Sequence, residues 1–290
     1  MSLLQTRTLP SISISLSLPS LPILLRANQK PLLLATGLAV AAAPLLAYAH
    51  SCYTEWLTLG RGGVPYNVIG WFAQTLLHPF ARRDTRSPVP TSFASASAVA
   101  ALYGPAATKS YLAAWARGRR RSGTRPDVPA FVAPQRQTTE KAGLEVVERQ
   151  KAFVVALARA NPAVFEVRDS GLEGPLHQAL FLRSFAEEAA DVEIRTRLGR
   201  GSGGELAHVH GEGSTHVTVS TADATALVEA GWAERHKLSG VGGRRAMLPF
   251  GYVLLYAPRG RDEFEFWREV VVAGARYAAE GADVEVVVPR

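Results

Sequence analysis

The sequence predicts an α+β fold: a mostly antiparallel sheet packed with amphipathic helices, preceded by an N-terminal transmembrane helix. Three observations carry this. An uncharged apolar run occupies residues 32–49. Beyond about residue 125, short alternating segments with glycine-rich breaks mix with long 3.6-periodic ones, in the order α, several β, α, β, α, β. No nucleotide-binding glycine motif accompanies them, which disfavours a doubly wound parallel sheet.

Residues 1–30 are rich in Ser and Leu, basic through Arg7, Arg26 and Lys30, and free of acidic side chains. The following run, LLLATGLAVAAAPLLAYA, is 18 residues long, the lower bound for a helix crossing a hydrocarbon core. A span over residues 31–50 is therefore expected. Pro31 suits a first helical turn and Pro44 kinks a helix without forbidding it. Tyr48, Tyr53 and Trp56 fall where an interfacial aromatic belt is expected. A mitochondrial presequence and a signal peptide cleaved at Ala47-Tyr48-Ala49 are the competing readings. The stretch ahead of the apolar core is long for a signal-peptide n-region, so an uncleaved single-pass anchor is preferred, in the endoplasmic reticulum with the mitochondrion as the alternative. The basic residues before the run favour a cytoplasmic N-terminus, whereas Arg82, Arg83 and Arg86 count the other way.

Residues 51–120 read as a membrane-proximal amphipathic and linker region. In Tyr66–Phe80, Val68, Trp71, Phe72, Thr75, Leu76 and Phe80 share a helical face, which suits either a helix lying on the membrane or one packed on the domain. Residues 84–109, rich in Ser, Ala and Pro, read as a loose linker. The first 130 residues carry 13 basic and 3 acidic side chains, and residues 131–290 carry 19 and 22. The net +7 thus belongs to the anchor and its flanks, where it suits anionic lipid headgroups. A nucleic-acid partner is excluded, because such a domain concentrates its cations on the folded module. The single cysteine, Cys52, rules out an intramolecular disulfide and a Cys-rich zinc site.

Residues 121–290 form the expected α+β domain. Gln135–Ala160 reads as an amphipathic helix stopped at Asn161-Pro162. Short strands are expected at 177–183, 191–197, 205–210 and 216–220. Thr221–Ala230 follows as a helix closed by Gly231 at C′, and Phe250–Tyr256 as a strand. The last long helix opens with a capping-box pair, Asp262 and Glu265, and ends at Gly281; Val284–Val288 then supply a final strand.

Alternation sharpens the reading of the histidines. Ala207 and Val209 point to one face and His208 and His210 to the other, while Val217 and Val219 oppose His216, Thr218 and Ser220. Joined as a hairpin through residues 211–215, the two strands bury their apolar sides together and bring three imidazoles to the opposite side. His236 follows closely enough to return to the same wall. Four of the seven histidines thus fall between residues 208 and 236. A metal-free acid/base site for a phenolic or enolic ligand is the leading reading. A metal centre ranks behind it, because the carboxylate would have to come from Glu212 or Asp223, and neither stands at a recognised spacing. Histidines satisfied by hydrogen bonds on a half-exposed sheet are the third reading. No nucleophile elbow, Walker loop or Rossmann loop competes.

The run Glu205-Leu-Ala-His-Val-His-Gly, then Thr215-His-Val-Thr-Val-Ser, Asp223, Gly231-Trp-Ala-Glu-Arg-His-Lys-Leu-Ser-Gly240 and Leu254-Leu-Tyr-Ala-Pro-Arg259 resembles the luciferase domain of the fungal bioluminescence pathway. Gly123-Thr-Arg-Pro126 and Pro134-Gln-Arg-Gln-Thr138 are similar to the segment that opens that domain, and the likeness spans about residues 120–280. It implies O₂-dependent oxidation of a hydroxylated styryl-pyrone or related aromatic enol through an endoperoxide, with molecular oxygen as co-substrate and no metal or organic cofactor. It also implies an N-terminal membrane helix, hence a lipid bilayer and a small aromatic molecule as partners. His208, His210, His216 and His236 become the candidate catalytic set; Tyr256, Arg259, Trp232 and Thr218 are the candidate substrate-binding residues. Arg125 and Arg136 read as structural ion-pair donors. Loop 211–215 departs from the luminous pattern in being short, glycine-rich and without a further histidine, which leaves light emission and the substrate open. A non-catalytic membrane-anchored module that binds a small molecule or a partner is the alternative function.

Overall fold

The computed structural model describes residues 29–88, 95–186, 192–282 and 284–290. The basic N-terminus lies outside the described residues apart from its last two positions. The chain divides into two compact units, residues 1–52 and 53–290. Helix α1, Gln29–Leu57, contains Pro44 and is longer than the expected span. Its Leu33–Leu57 portion is long and apolar enough to cross a membrane, a property that a signal sequence shares.

In the second unit, α2 (Val68–Leu76) is capped by Asn67, whose side chain accepts from the amides of Ile69 and Gly70. Val68, Ile69, Phe72 and Leu76 are exposed, so its apolar face points away from the domain. The stretch expected to be a loose linker contains α3, Ala96–Tyr103, whose Val99 and Tyr103 are buried against Phe250 and Tyr277. Helix α4, Leu144–Ala160, starts nine residues later than expected. Gln135, Arg136 and Gln137 are instead buried in extended chain and spend their side-chain donors on backbone and carboxylate acceptors. Strands β1 (Phe165–Ser170) and β2 (Gly174–Leu182) form a hairpin.

Of residues 191–197, expected as a strand, residue 191 lies outside the described residues and the rest belong to helix α5, Val192–Leu198. Arg197 is buried next to Leu198 and donates to the carbonyls of Tyr277 and Glu280, whereas an alternating strand would turn it to the face opposite Leu198. Then come β3 (Glu205–Val209), β4 (Thr215–Thr218), α6 (Thr221–Glu229), β5 (Ala233–Arg235), β6 (Tyr252–Leu255) and α7 (Arg261–Ala278). The expected capping box is not formed: the α7 N-cap is Gly260, with no side-chain bond. Residues 284–288 form no strand. Asn161 clamps them, donating to the Val287 carbonyl and accepting from its amide, both at 2.8 Å.

The six strands lie in the order β1-β2-β3-β4-β6-β5, every neighbouring pair antiparallel. One face carries Leu180, Ala207, Val209, Val217, Val253 and Leu255, which pack with α4 and α7 in the main apolar core. Helix α7 approaches β4 closely at Gly274, where an added Cβ would lie 2.7 Å from the Thr218 carbonyl oxygen. The other face is not open to water, as a half-exposed sheet would be. It carries His208, His216 and Leu254 side by side, in the register His208 to His216 to Leu254, and all three are buried. Gly274→Ala forces backbone apart and is expected to cost about 1–3 kcal/mol; thermal unfolding of the full chain in detergent reads this as a lowered Tm with the fold retained.

Candidate functional site

The histidine face is built from the β3–β4 hairpin outward. His208 and His216 are cross-strand partners, and His210 sits one residue beyond β3, where its amide donates to the Ser214 carbonyl. Ring centroids are 5.0 Å apart for His208 and His210, 5.2 Å for His208 and His216, and 4.9 Å for His210 and His216. His236, arriving after β5, packs edge-on to His216 at 5.2 Å, and its Nδ1 accepts from the Leu238 amide. All four predicted imidazoles are thus together and buried.

Of their partners, sequence reasoning had Arg136 as an ion-pair donor and Glu212 as a candidate carboxylate, and missed Glu205, Glu173, Ser214 and Tyr252. Glu205 opens β3 and its Oε1 lies 2.5 Å from His208 Nδ1. Its carboxylate is fixed by Ser170 Oγ at 2.8 Å and the Gly171 amide at 2.9 Å. His210 Nδ1 lies 2.8 Å from Ser214 Oγ, which donates to Glu212. Glu173, in the turn between β1 and β2, sets Oε1 3.8 Å from His208 Nε2 and 3.7 Å from His210 Nε2. Its other oxygen accepts from Arg136 Nη2 at 2.6 Å, and Arg136 also donates to the carbonyls of Leu59 and Arg61. Gly62 is required beside this pair, since a Cβ there would sit 1.9 Å from Glu173 Oε2. Tyr252 stacks on His216 at 4.9 Å and 13°, and His177 stands edge-on to His210 at 6.4 Å. The spacing of Glu205 three residues before His208, and the alternation of Tyr252 with Leu254, were signals available in the sequence. Glu173 had none, being brought in by a turn.

Electrostatics follow from burial. Desolvation lowers the pKa of His210 against the pull of Glu212, and lowers that of His216 further with His210 and His208 as like neighbours. For His236 desolvation brings the value to about 3. Burial opposes charge on Glu173, yet His210, His208 and Arg136 outweigh it and hold its pKa below the ordinary value.

The remaining candidates divide. Thr218 lies two residues along β4 from His216, on the same face, and its buried hydroxyl has no hydrogen-bond partner. Trp232 is a core residue: it stacks on Phe266 at 3.9 Å and donates to the Arg119 carbonyl. Tyr256 donates to Glu234. Arg259 is exposed and paired with Glu263 and the Ser122 carbonyl. The structure gives these three bonding partners of their own, Glu234 being the cross-strand neighbour of Leu254 on the histidine face. Asp223 holds Ser110 Oγ and the Tyr111 amide at the start of α6, so it is no ligand of the cluster. A cleft of about 560 Å³ lies between residues 61–66 and 171–176, with Glu173 in its wall.

Residues 203–274 match the family model described as the Luciferase domain. Over that stretch the chain is similar to a luciferase domain. The match takes in β3 to β6, α6 and most of α7, so it contains all four predicted histidines but not Glu173, Arg136 or the cleft. No curated protein and no solved structure matches the chain.

The Arg259–Glu263 pair has a pH signature. Burial raises the Glu263 pKa, but Arg259 and Arg121 outweigh it and leave the value below 4.5. A depressed folded-state pKa contributes stability above the ordinary value that is lost as pH falls through the folded one. Denaturant unfolding across the acid range should show a flatter pH dependence in Glu263→Gln than in the unchanged protein.

Proposed function

We propose that this protein is a membrane-anchored, luciferase-like oxidoreductase that uses O₂ to oxidise a small hydroxylated pyrone or related aromatic enol. The single observation that carries the reading is the convergence of three imidazoles, all from the stretch that matches the luciferase-domain model, with the Glu173 carboxylate from the β1–β2 turn. The cleft that Glu173 lines is the entry we assign to a planar molecule, because the Glu173 Oε1 lies 3.7 Å and 3.8 Å from the His210 and His208 Nε2 atoms.

The chemistry asks little of the protein beyond proton control and exclusion of water. Removing the enolic proton gives an enolate whose carbon adds O₂, forming one C–O bond. Returning the proton to the distal oxygen gives a hydroperoxide, so substrate and O₂ account for every atom and electron. Buried imidazoles near the cleft supply general acid/base groups of suitable type, and a site that water does not reach protects the peroxide from side reactions. The apolar helix α1 supports attachment to a bilayer, which we assign to the endoplasmic reticulum; the outward apolar face of α2 is of a kind that suits a membrane surface.

An oxygen electrode, run on full-length protein in detergent with a panel of hydroxylated pyrones and with light detection alongside, tests the reading. Substrate-dependent oxygen uptake is expected, falling at least a hundredfold in His208→Ala and His210→Ala. Undiminished uptake in those variants overturns the site. Pyrone binding without oxygen uptake overturns the enzyme and selects a non-catalytic binding module. Deleting residues 29–50 should move the protein from the membrane pellet to the soluble fraction after cell fractionation.

A further inference from the structure

We infer that Glu173, His208, His210 and His216 form a binding site for one divalent first-row transition ion of the iron(II) or zinc class. One ligand atom from each of the four lies within 4.8 Å of the others. The inference concerns the same site as the oxidase reading and rests on that reading only for the ion's purpose.

The argument begins with where the protons are. Glu205 is anchored by Ser170 and the Gly171 amide, so its Oε1 accepts from His208 Nδ1 and fixes that ring with the proton on Nδ1. Ser214 gives its own proton to Glu212, so its oxygen accepts from His210 Nδ1, and the second ring is fixed in the same tautomer. Both Nε2 atoms are then left as lone-pair acceptors, and they face each other at 3.1 Å. The Glu173 oxygen, a third acceptor, lies 3.7 Å and 3.8 Å from them. His216 adds a buried imidazole whose Nδ1 has no hydrogen-bond partner. Acceptors converging in a dry site with no donor among them repel one another unless a cation stands between them.

The dimensions suit a metal ion. With metal–nitrogen bonds of about 2.0–2.1 Å, two adjacent imidazole nitrogens stand roughly 2.8–3.0 Å apart in octahedral and roughly 3.3–3.4 Å apart in tetrahedral coordination. The observed 3.1 Å lies between those separations, and the Glu173 oxygen, at 3.7 Å and 3.8 Å, stands slightly further out. Metal-bound imidazoles characteristically donate their other ring N–H to a carboxylate or similar acceptor, which sets the ring and raises its basicity. Glu205 and the Ser214–Glu212 pair occupy those positions. Arg136 does the same for the carboxylate, holding Glu173 by one oxygen and leaving the other for the ion, while Gly62 leaves room for the oxygen that Arg136 holds. Three imidazoles and a single carboxylate oxygen select a transition ion over Ca²⁺ or Mg²⁺, which favour oxygen-rich shells.

The sequence placed a metal behind metal-free proton transfer because neither Glu212 nor Asp223 stood at a ligand spacing. The carboxylate it lacked is Glu173. Glu212 serves one step further out, behind Ser214.

The test is a Co²⁺ titration of metal-depleted full-length protein in detergent, read by visible d–d absorption, together with elemental analysis of the protein as purified. One Co²⁺ per chain is expected to bind saturably, displaced by Zn²⁺, with near-stoichiometric iron or zinc in the purified sample. Glu173→Gln and His216→Ala should each weaken Co²⁺ binding at least tenfold, and His78→Ala, at an exposed position outside the cluster, should not. Circular dichroism checks folding, and the near-isosteric Glu173→Gln decides if His216→Ala does not fold. Absence of saturable one-to-one binding, or binding unchanged in Glu173→Gln, overturns the inference. Stoichiometric metal without oxygen uptake leaves the ion site standing and defeats the oxidase; oxygen uptake by protein shown to be metal-free does the reverse.

Discussion

The approach of His208 Nε2 to His210 Nε2 is the constraint on which the rest of this structure depends. Two imidazoles on one strand face are held that close only if something fixes both rings from behind. Glu205 and Ser214 do so, and they in turn need the β1–β2 turn and the 211–214 loop in place. The sheet therefore has two unlike sides. One is an ordinary apolar core against α4 and α7, stabilised by area removed from water. The other is a polar interior of imidazoles, carboxylates, Gln135, Arg136 and Gln137, which is tolerable only because its groups find partners. Groups on that side left without one, the His216 Nδ1 and Thr218 hydroxyl among them, mark where a ligand would complete the set.

Much of the fold was legible because hydrophobic period is a local property. The alternation at Ala207, Val209, Val217 and Val219 set the core face of the hairpin and, by exclusion, the side of the histidines. Helix α7 was readable from its apolar stripe, and Gly231 from its left-handed position after α6. Failures came where distant contacts outweighed local pattern. Residues 191–197 alternate well enough for a strand, yet from 192 onward they are helical, with Arg197 and Leu198 buried in succession. Asn161 reads as a helix stop, which it is, but its side chain also fixes residue 287, more than a hundred positions on.

The site was legible by half, for a related reason. Its imidazoles come from consecutive strands of one hairpin, so their convergence follows from pleat and register alone. Its carboxylate comes from a turn, where no period applies and placement is decided by an ion pair with Arg136. Aromatic and cationic residues that looked suited to a planar ligand were absorbed elsewhere: Trp232 by Phe266, Tyr256 by Glu234 and Arg259 by Glu263. A side chain's chemical suitability for a ligand says little until the competing partners within the fold are known.

The extent of the family match bears on how such a domain acquires its chemistry. Residues 203–274 supply the three clustered imidazoles, the Glu205 that orients one of them, and the Tyr252 that stacks on another. They do not supply Glu173, the arginine that holds it, or the 61–66 segment that faces it across the cleft. The imidazole platform thus belongs to the domain, whereas the charge of the fourth position and the shape of the opening belong to chain outside it. A substitution within the hairpin changes whether the centre exists. Substitution in residues 61–66 or 171–176 instead alters the cleft that Glu173 lines, while the imidazoles keep their places on the sheet.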